Sequence, residues 1–115
     1  MPTDTERSQE QTDRIAVTPP GPGLSGPEMA HLAAMLSERI GGREAPCVVL
    51  DMRNVDFIDS SALGALVIFR QELEHASGRV VLTRCHDNIA SLFKLTRLDT
   101  IIAVTRGDSI TAQAS

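Results

Sequence analysis

Apolar residues follow two kinds of pattern along this chain. Residues 47–52, 79–83 and 100–104 are short, nearly continuous apolar runs of the sort that buried strands have. Elsewhere the spacing is helical. Met29, Leu32, Ala33, Leu36 and Ile40 fall at i, i+3, i+4, i+7 and i+11, one face of a helix. Ser25 and Glu28 have the spacing of a capping box at its start, and Gly41 with Gly42 supplies the stop. Ala62, Leu66, Phe69, Leu73 and Ala76 form a second helical stripe, which predicts a helix from the Ser60-Ser61 pair to about Ala76. Residues 14–18 read as a brief edge strand. After them Pro19-Pro20-Gly21-Pro22-Gly23 blocks both helix and sheet.

Strands alternating with helices imply βαβ units, so the fold class is α/β with parallel strands joined by right-handed crossovers. If all the helices pack on one side, the other sheet face is exposed or covered by the N-terminal segment. The 115 residues suffice for one core and not for two. Residues 1–13 are polar and acidic with no apolar period, which predicts a disordered tail. The folded domain is expected over residues 14–106, with a flexible end at 107–115.

The second helix is apolar on more than one side in its first half, because Leu63, Val67 and Ile68 lie off the stripe. Either a neighbouring helix of the same domain covers them or a partner protein does. Glu72, Glu74 and His75 in its last turns read as a solvated face.

Charge narrows the partners. The formal charge of −4 is concentrated in the tail, where Asp4, Glu6, Glu10 and Asp13 oppose Arg7 alone. A near-neutral body with three Phe as its only aromatics has neither the phosphate-neutralising charge nor the stacking platforms of a nucleic-acid binder. No apolar stretch approaches the roughly 20 residues that span a bilayer, and no signal peptide is recognisable, so a cytoplasmic location without membrane insertion is expected. Cys47 and Cys85 fall at opposite ends of parallel strands, which speaks against a disulfide. Reduced buried thiols are the simple reading; a redox switch at an exposed Cys85 is the other.

The chemistry is concentrated at residues 48–64, where a strand-like run passes through Phe57-Ile58-Asp59-Ser60-Ser61 into a helix. Asp and Ser before a helix cap it, and the first-turn N–H groups beside them point outward and favour a phosphate. One cap suffices. Asp59 or Ser60 can supply it, leaving Ser61 free in the first helical turn. Asp59 has three available roles: capping acceptor, orienter of the Ser61 hydroxyl, or partner contact. A phosphate there would add about −1.5 to −2 charges beside Asp59.

The run Phe57-Ile58-Asp59-Ser60-Ser61-Ala62-Leu63-Gly64, in its strand-to-helix setting, resembles the signature of STAS domains, in particular the anti-sigma factor antagonists of bacterial partner-switching systems. The resemblance covers about residues 47–104. Residues 78–83 match the next strand, 88–95 the next helix and 98–104 the closing segment, with Asp87-Asn88 as the cap of that third helix. It implies a small STAS-like domain with a mainly parallel or mixed sheet of four to five strands and three to four helices. It also implies that Ser61 is the phosphoacceptor, Ser60 being the second choice. Asp59, Ser60, Ser61, Ala62, Leu63, Gly64 and Val67 would then meet the partner, an anti-sigma factor that is also a serine kinase, and a serine phosphatase would reset the switch. A monomer satisfies this scheme. The alternative within the family is a subunit docked on the ATPase of an ABC-type lipid transporter, without phosphorylation. Two departures stand out. Pro-Gly repeats replace the usual strand pair and polar acidic turn, and Arg97 stands where a glycine commonly ends the third helix.

An enzyme is the contrasting class. No Gly-x-Ser-x-Gly elbow and no phosphate-binding loop is present, and His31, His75 and His86 form no recognisable arrangement. No cysteine, histidine and acid spacing matches a zinc site. The sequence therefore points to no catalytic residue, metal or cofactor, and phosphoryl transfer would need a separate kinase.

Overall fold

The computed structural model describes residues 14–107. The expectations for residues 1–13 and 108–115 lie outside that range. Gly107, expected to begin a flexible end, accepts a hydrogen bond from the Arg84 N–H at 2.7 Å. The elements run β1 (Arg14–Val17), β2 (Gly23–Leu24), α1 (Gly26–Ile40), β3 (Cys47–Asp51), β4 (Phe57–Ile58), α2 (Ser60–His75), β5 (Arg79–Thr83), α3 (Asp87–Leu95), a 3-10 turn (Leu98–Thr100) and β6 (Ala103–Val104).

Strands β1, β3, β5 and β6 lie in that order in one parallel sheet. In register, Ile15, Val48 and Val80 form one row, and Leu50 beside Leu82 lies in the next row of the same face. All five are buried, and they share a core with Met29, Leu32 and Leu36 of α1, Leu66, Phe69 and Leu73 of α2, and Ile89 and Phe93 of α3. The strand alternation turns Ala16, Val49, Val81 and Ala103 to the opposite face. Ala16 and Ala103 are exposed there and Val49 is half-buried.

α1 starts where its sequence directs. The Ser25 hydroxyl accepts from the Glu28 N–H at 3.3 Å, and the Glu28 carboxylate accepts from the Ser25 N–H at 2.9 Å. Gly42 follows its C-cap at φ +82, a conformation that suits glycine.

Several expectations need correction. The closing strand is shorter than residues 100–104. Thr100 is instead held in a turn, where its N–H and hydroxyl both donate to the Arg97 carbonyl, and these local bonds displace strand pairing. The Pro-Gly segment does not exclude sheet altogether, since Gly23 and Leu24 pair in parallel with Phe57 and Ile58. His86, not Asp87 or Asn88, occupies the N-cap position of α3, and it makes no side-chain capping bond. Glu72, Glu74 and His75 are exposed, the solvated face that was expected, and Glu74 pairs on it with Arg70 at 2.7 Å. Arg97 keeps the left-handed conformation at φ 64 and ψ 14 despite its side chain.

Cys47 and Cys85 are free thiols. Cys47 pairs in register with Arg79 at the start of β5, and Cys85 lies beyond the other end of that strand. Cys85 is buried, which removes the premise of an exposed redox switch. Burial pushes its thiol up to about 11, helped by the nearby Asp51 charge and opposed by a hydrogen bond to the Thr105 backbone.

Candidate functional site

The serine pair sits at the junction of β4 and α2. Asp59 is the N-cap, with φ −93 and ψ 171, and its Oδ1 accepts from the Ala62 N–H at 2.8 Å. Its backbone carbonyl takes the first intrahelical bond, from Leu63 N–H. Of the roles expected of Asp59, its side chain performs the capping one. Ser60 and Ser61 are then the first two helical residues, both exposed, and no hydrogen bond engages either hydroxyl among the described residues. Their first-turn N–H groups have no acceptor within the helix.

The expected contact residues divide by burial. Ala62 is fully buried, so it anchors the junction and offers no surface. Leu63 is half-buried and packs against the core, which settles its off-stripe position within the domain. Val67 is half-buried and Gly64 is exposed, with open space where a Cβ would stand. Ile68 remains 59% exposed beside a groove of about 270 Å³ between α1 and α2, floored by Ala30, Ala33 and Ala34. Phe57 is 62% exposed two residues before Asp59, whereas Phe69 and Phe93 are buried in the core.

The loop leading to the serines is held from two sides. On one side the His86 ring lies 2.7 Å from the Arg53 carbonyl, and the Asn88 amide donates to the Asp56 carbonyl. Asp51 at the end of β3 joins Arg53 at 3.1 Å and Arg84 at 3.7 Å. On the other side lies the Pro-Gly segment. Asp56 N–H donates to the Pro22 carbonyl, Asp59 N–H donates to the Leu24 carbonyl, and β2 pairs with β4 between them.

Glycines make that second contact close. A Cβ on Gly21, which has φ +64, would overlap the Asn54 carbonyl, and a Cβ on Gly26 would stand 2.5 Å from the Ser61 Cβ. The spacing Gly21, Gly23, Gly26 was visible in the sequence, but nothing there shows that residues 54, 57 and 61 lie against it. The same segment also lines an apolar cavity of about 520 Å³, together with Pro27, His31 and Met35 of α1. His75 is exposed at the end of α2. The three histidines thus sit apart in the fold, and among the described residues no three histidine, cysteine or carboxylate side chains converge as metal ligands.

A family model described as the STAS domain matches residues 7–111. The chain belongs to the STAS domain family. Its fold is similar to that of a Thermotoga maritima protein provisionally designated an anti-sigma factor antagonist, at 20% identity and a TM-score of 0.70, over 89% of this chain and 85% of that one. It is also similar to the anti-sigma factor antagonist SpoIIAA in its unphosphorylated form, at 19% identity and a TM-score of 0.62, over 89% and 86% of the two chains. A sulfate transporter family protein from Wolinella succinogenes matches at 18% identity and a TM-score of 0.65, over 83% and 78%. The STAS fold is thus shared by proteins of different names. No helix among the described residues of this STAS domain is long and apolar enough to cross a membrane.

Proposed function

We propose that this STAS domain is a cytoplasmic anti-sigma factor antagonist of a bacterial partner-switching system. With Ser61 unmodified it captures an anti-sigma factor that is also a serine kinase, and with Ser61 phosphorylated it releases that partner. A serine phosphatase returns it to the binding state. The observation that carries this reading is Ser61, exposed in the first turn of α2 with no hydrogen bond to its hydroxyl among the described residues, while Asp59 holds the cap. Two fold neighbours described as anti-sigma factor antagonists support it, one of them in an unphosphorylated form.

The chemistry asks little of this chain. The Ser61 Oγ bonds to the γ-phosphorus of ATP held by the kinase, the bond from that phosphorus to the β–γ bridging oxygen breaks, and ADP leaves. The hydroxyl proton passes to a base on the kinase. The product places about −1.5 to −2 charges beside Asp59, and like-charge repulsion then weakens docking of a partner face complementary to the free hydroxyl.

Affinity capture from extracts of the source cells tests the reading with three baits: wild type, Ser61→Ala and Ser61→Asp. The alanine bait is expected to hold a serine kinase constitutively and the aspartate bait to lose it. Equal retention by both variants overturns the gating, and an ABC-type ATPase as the retained partner replaces this reading with a docked transporter subunit. Aspartate carries less charge than phosphate, so the enzymatically phosphorylated wild type is the deciding comparison.

A further inference from the structure

We infer that Gly26 is a positioning residue for the Ser61 hydroxyl, an inference that rests on Ser61 being the phosphoacceptor. Gly26 is the first residue of α1 and is buried. A Cβ built on it would stand 2.5 Å from the Ser61 Cβ, 3.3 Å from the Ser61 carbonyl carbon and 3.5 Å from its Cα. The first turn of α1 therefore abuts the backbone and Cβ of the acceptor serine, with no side chain between them.

The neighbouring contacts make this a rigid reference. Leu24 O accepts the Asp59 N–H, and Pro22 O accepts the Asp56 N–H, so the acceptor loop is tied along residues 22–24 by main-chain bonds, two residues before Gly26. The capping box of Ser25 and Glu28 fixes the start of α1 immediately beside Gly26. A methyl group at position 26 has no flexible side-chain end to push aside. It meets Ser61 itself, so the contact between the first turn of α1 and Ser61 must open. In-line attack on a γ-phosphorus depends on oxygen placement, and a displacement of about 1 Å at such a centre can cost about a hundredfold in rate.

Gly23 supplies the internal control. A Cβ there would meet only the Phe57 ring, at an ordinary 3.5 Å, in the same segment and against the same loop. Gly23→Ala thus adds a methyl group without moving Ser61.

The test is labelling of the purified full chain by extract of the source cells supplied with radiolabelled ATP, with peptide mapping of the labelled residue. Rates are expressed per folded molecule, with the folded fraction read by circular dichroism at the labelling temperature. Gly26→Ala is expected to slow Ser61 labelling at least about tenfold, while Gly23→Ala stays within about twofold. Equal labelling of Gly26→Ala and wild type overturns the positioning role while Ser61 phosphorylation stands. Absence of label on wild-type Ser61 overturns both readings together.

A second measurement covers a Gly26→Ala variant that folds poorly. The same substitution in a Ser61→Gly background has no Cβ to meet, so its shift in urea midpoint is expected to be much smaller there than in the wild-type background. Equal shifts in the two backgrounds place the collision elsewhere and overturn the inference.

Discussion

Replacing Asp59 by alanine is expected to weaken the start of α2 by about 1–2 kcal/mol. Two contributions make up that figure. Loss of the carboxylate acceptor for the Ala62 N–H, now at 2.8 Å, is a lost side-chain cap, typically worth about 1 kcal/mol. Loss of a negative charge at the positive end of α2 adds about 0.3–1 kcal/mol. Asp59→Asn separates them, because an amide oxygen can accept the same N–H while carrying no charge. In a domain of this size each kcal/mol moves Tm by roughly 4–8 °C, so alanine is expected to lower Tm by about 4–16 °C and asparagine by less than half as much. Thermal and urea unfolding followed by circular dichroism at low salt and at about 1 M salt supplies the assay. High salt screens the charge contribution and leaves the hydrogen bond, so the asparagine effect should shrink and the alanine effect should largely remain. Equal losses for the two variants would refute the assignment of Asp59 as a hydrogen-bonding cap. An unchanged Tm for alanine would mean that the Ser60 hydroxyl takes over the cap, contrary to the geometry described above.

Other outcomes follow from the same structure. Arg97→Gly is expected to raise stability by about 1 kcal/mol, because a left-handed residue with φ 64 costs a side-chain-bearing residue about that much; a lower urea midpoint would contradict this. Gly21→Ala is expected to destabilise by at least about 1–2 kcal/mol, since its φ of +64 disfavours a side chain and the methyl group would overlap the Asn54 carbonyl, and urea unfolding reads this directly. The Cys85 thiol, pushed up to about 11 by burial, is expected to react with a thiol reagent only after unfolding, whereas half-buried Cys47 reacts first in the native protein. The unfolded chain gives up that proton at lower pH than the folded one, so this contribution to stability is present below the ordinary thiol range. It is lost as pH rises toward about 11, and Cys85→Ala should flatten that part of the pH profile.

The parts of the fold carried by local chemistry were legible in the sequence. Ser25 and Glu28 form the capping box that their spacing announces, and the stripes of α1 and α2 bury Leu36, Leu66 and Phe69 as their periods require. The parallel order of β1, β3 and β5 follows from alternation of strand and helix. Pairing across long sequence distances was not legible. No local signal shows that residues 21–26 lie against residues 54–61, because glycine spacing specifies a close approach without naming what approaches. Thr100 was misread for a related reason. Its apolar surroundings resemble a strand, but its hydroxyl and N–H are taken by Arg97 one turn earlier. Cys85 is enclosed by the core, in line with the simple reading of a buried reduced thiol. At the site, the identity of the serine junction was readable from Asp59, Ser60 and Ser61. The division of labour within it needed coordinates, because Asp59 and Ser60 were equally able to cap.

In the proposed switch, phosphate on Ser61 separates the bound from the free form of this protein. The most direct measurement is to isolate the native protein from its cells as two pools, free and in complex, and to map phosphate in each by mass spectrometry. Phosphate is expected on Ser61 in the free pool, and an unmodified Ser60-Ser61 pair in the complex. Phosphorylated Ser61 within the complex, or no phosphate on Ser61 in either pool, would contradict it.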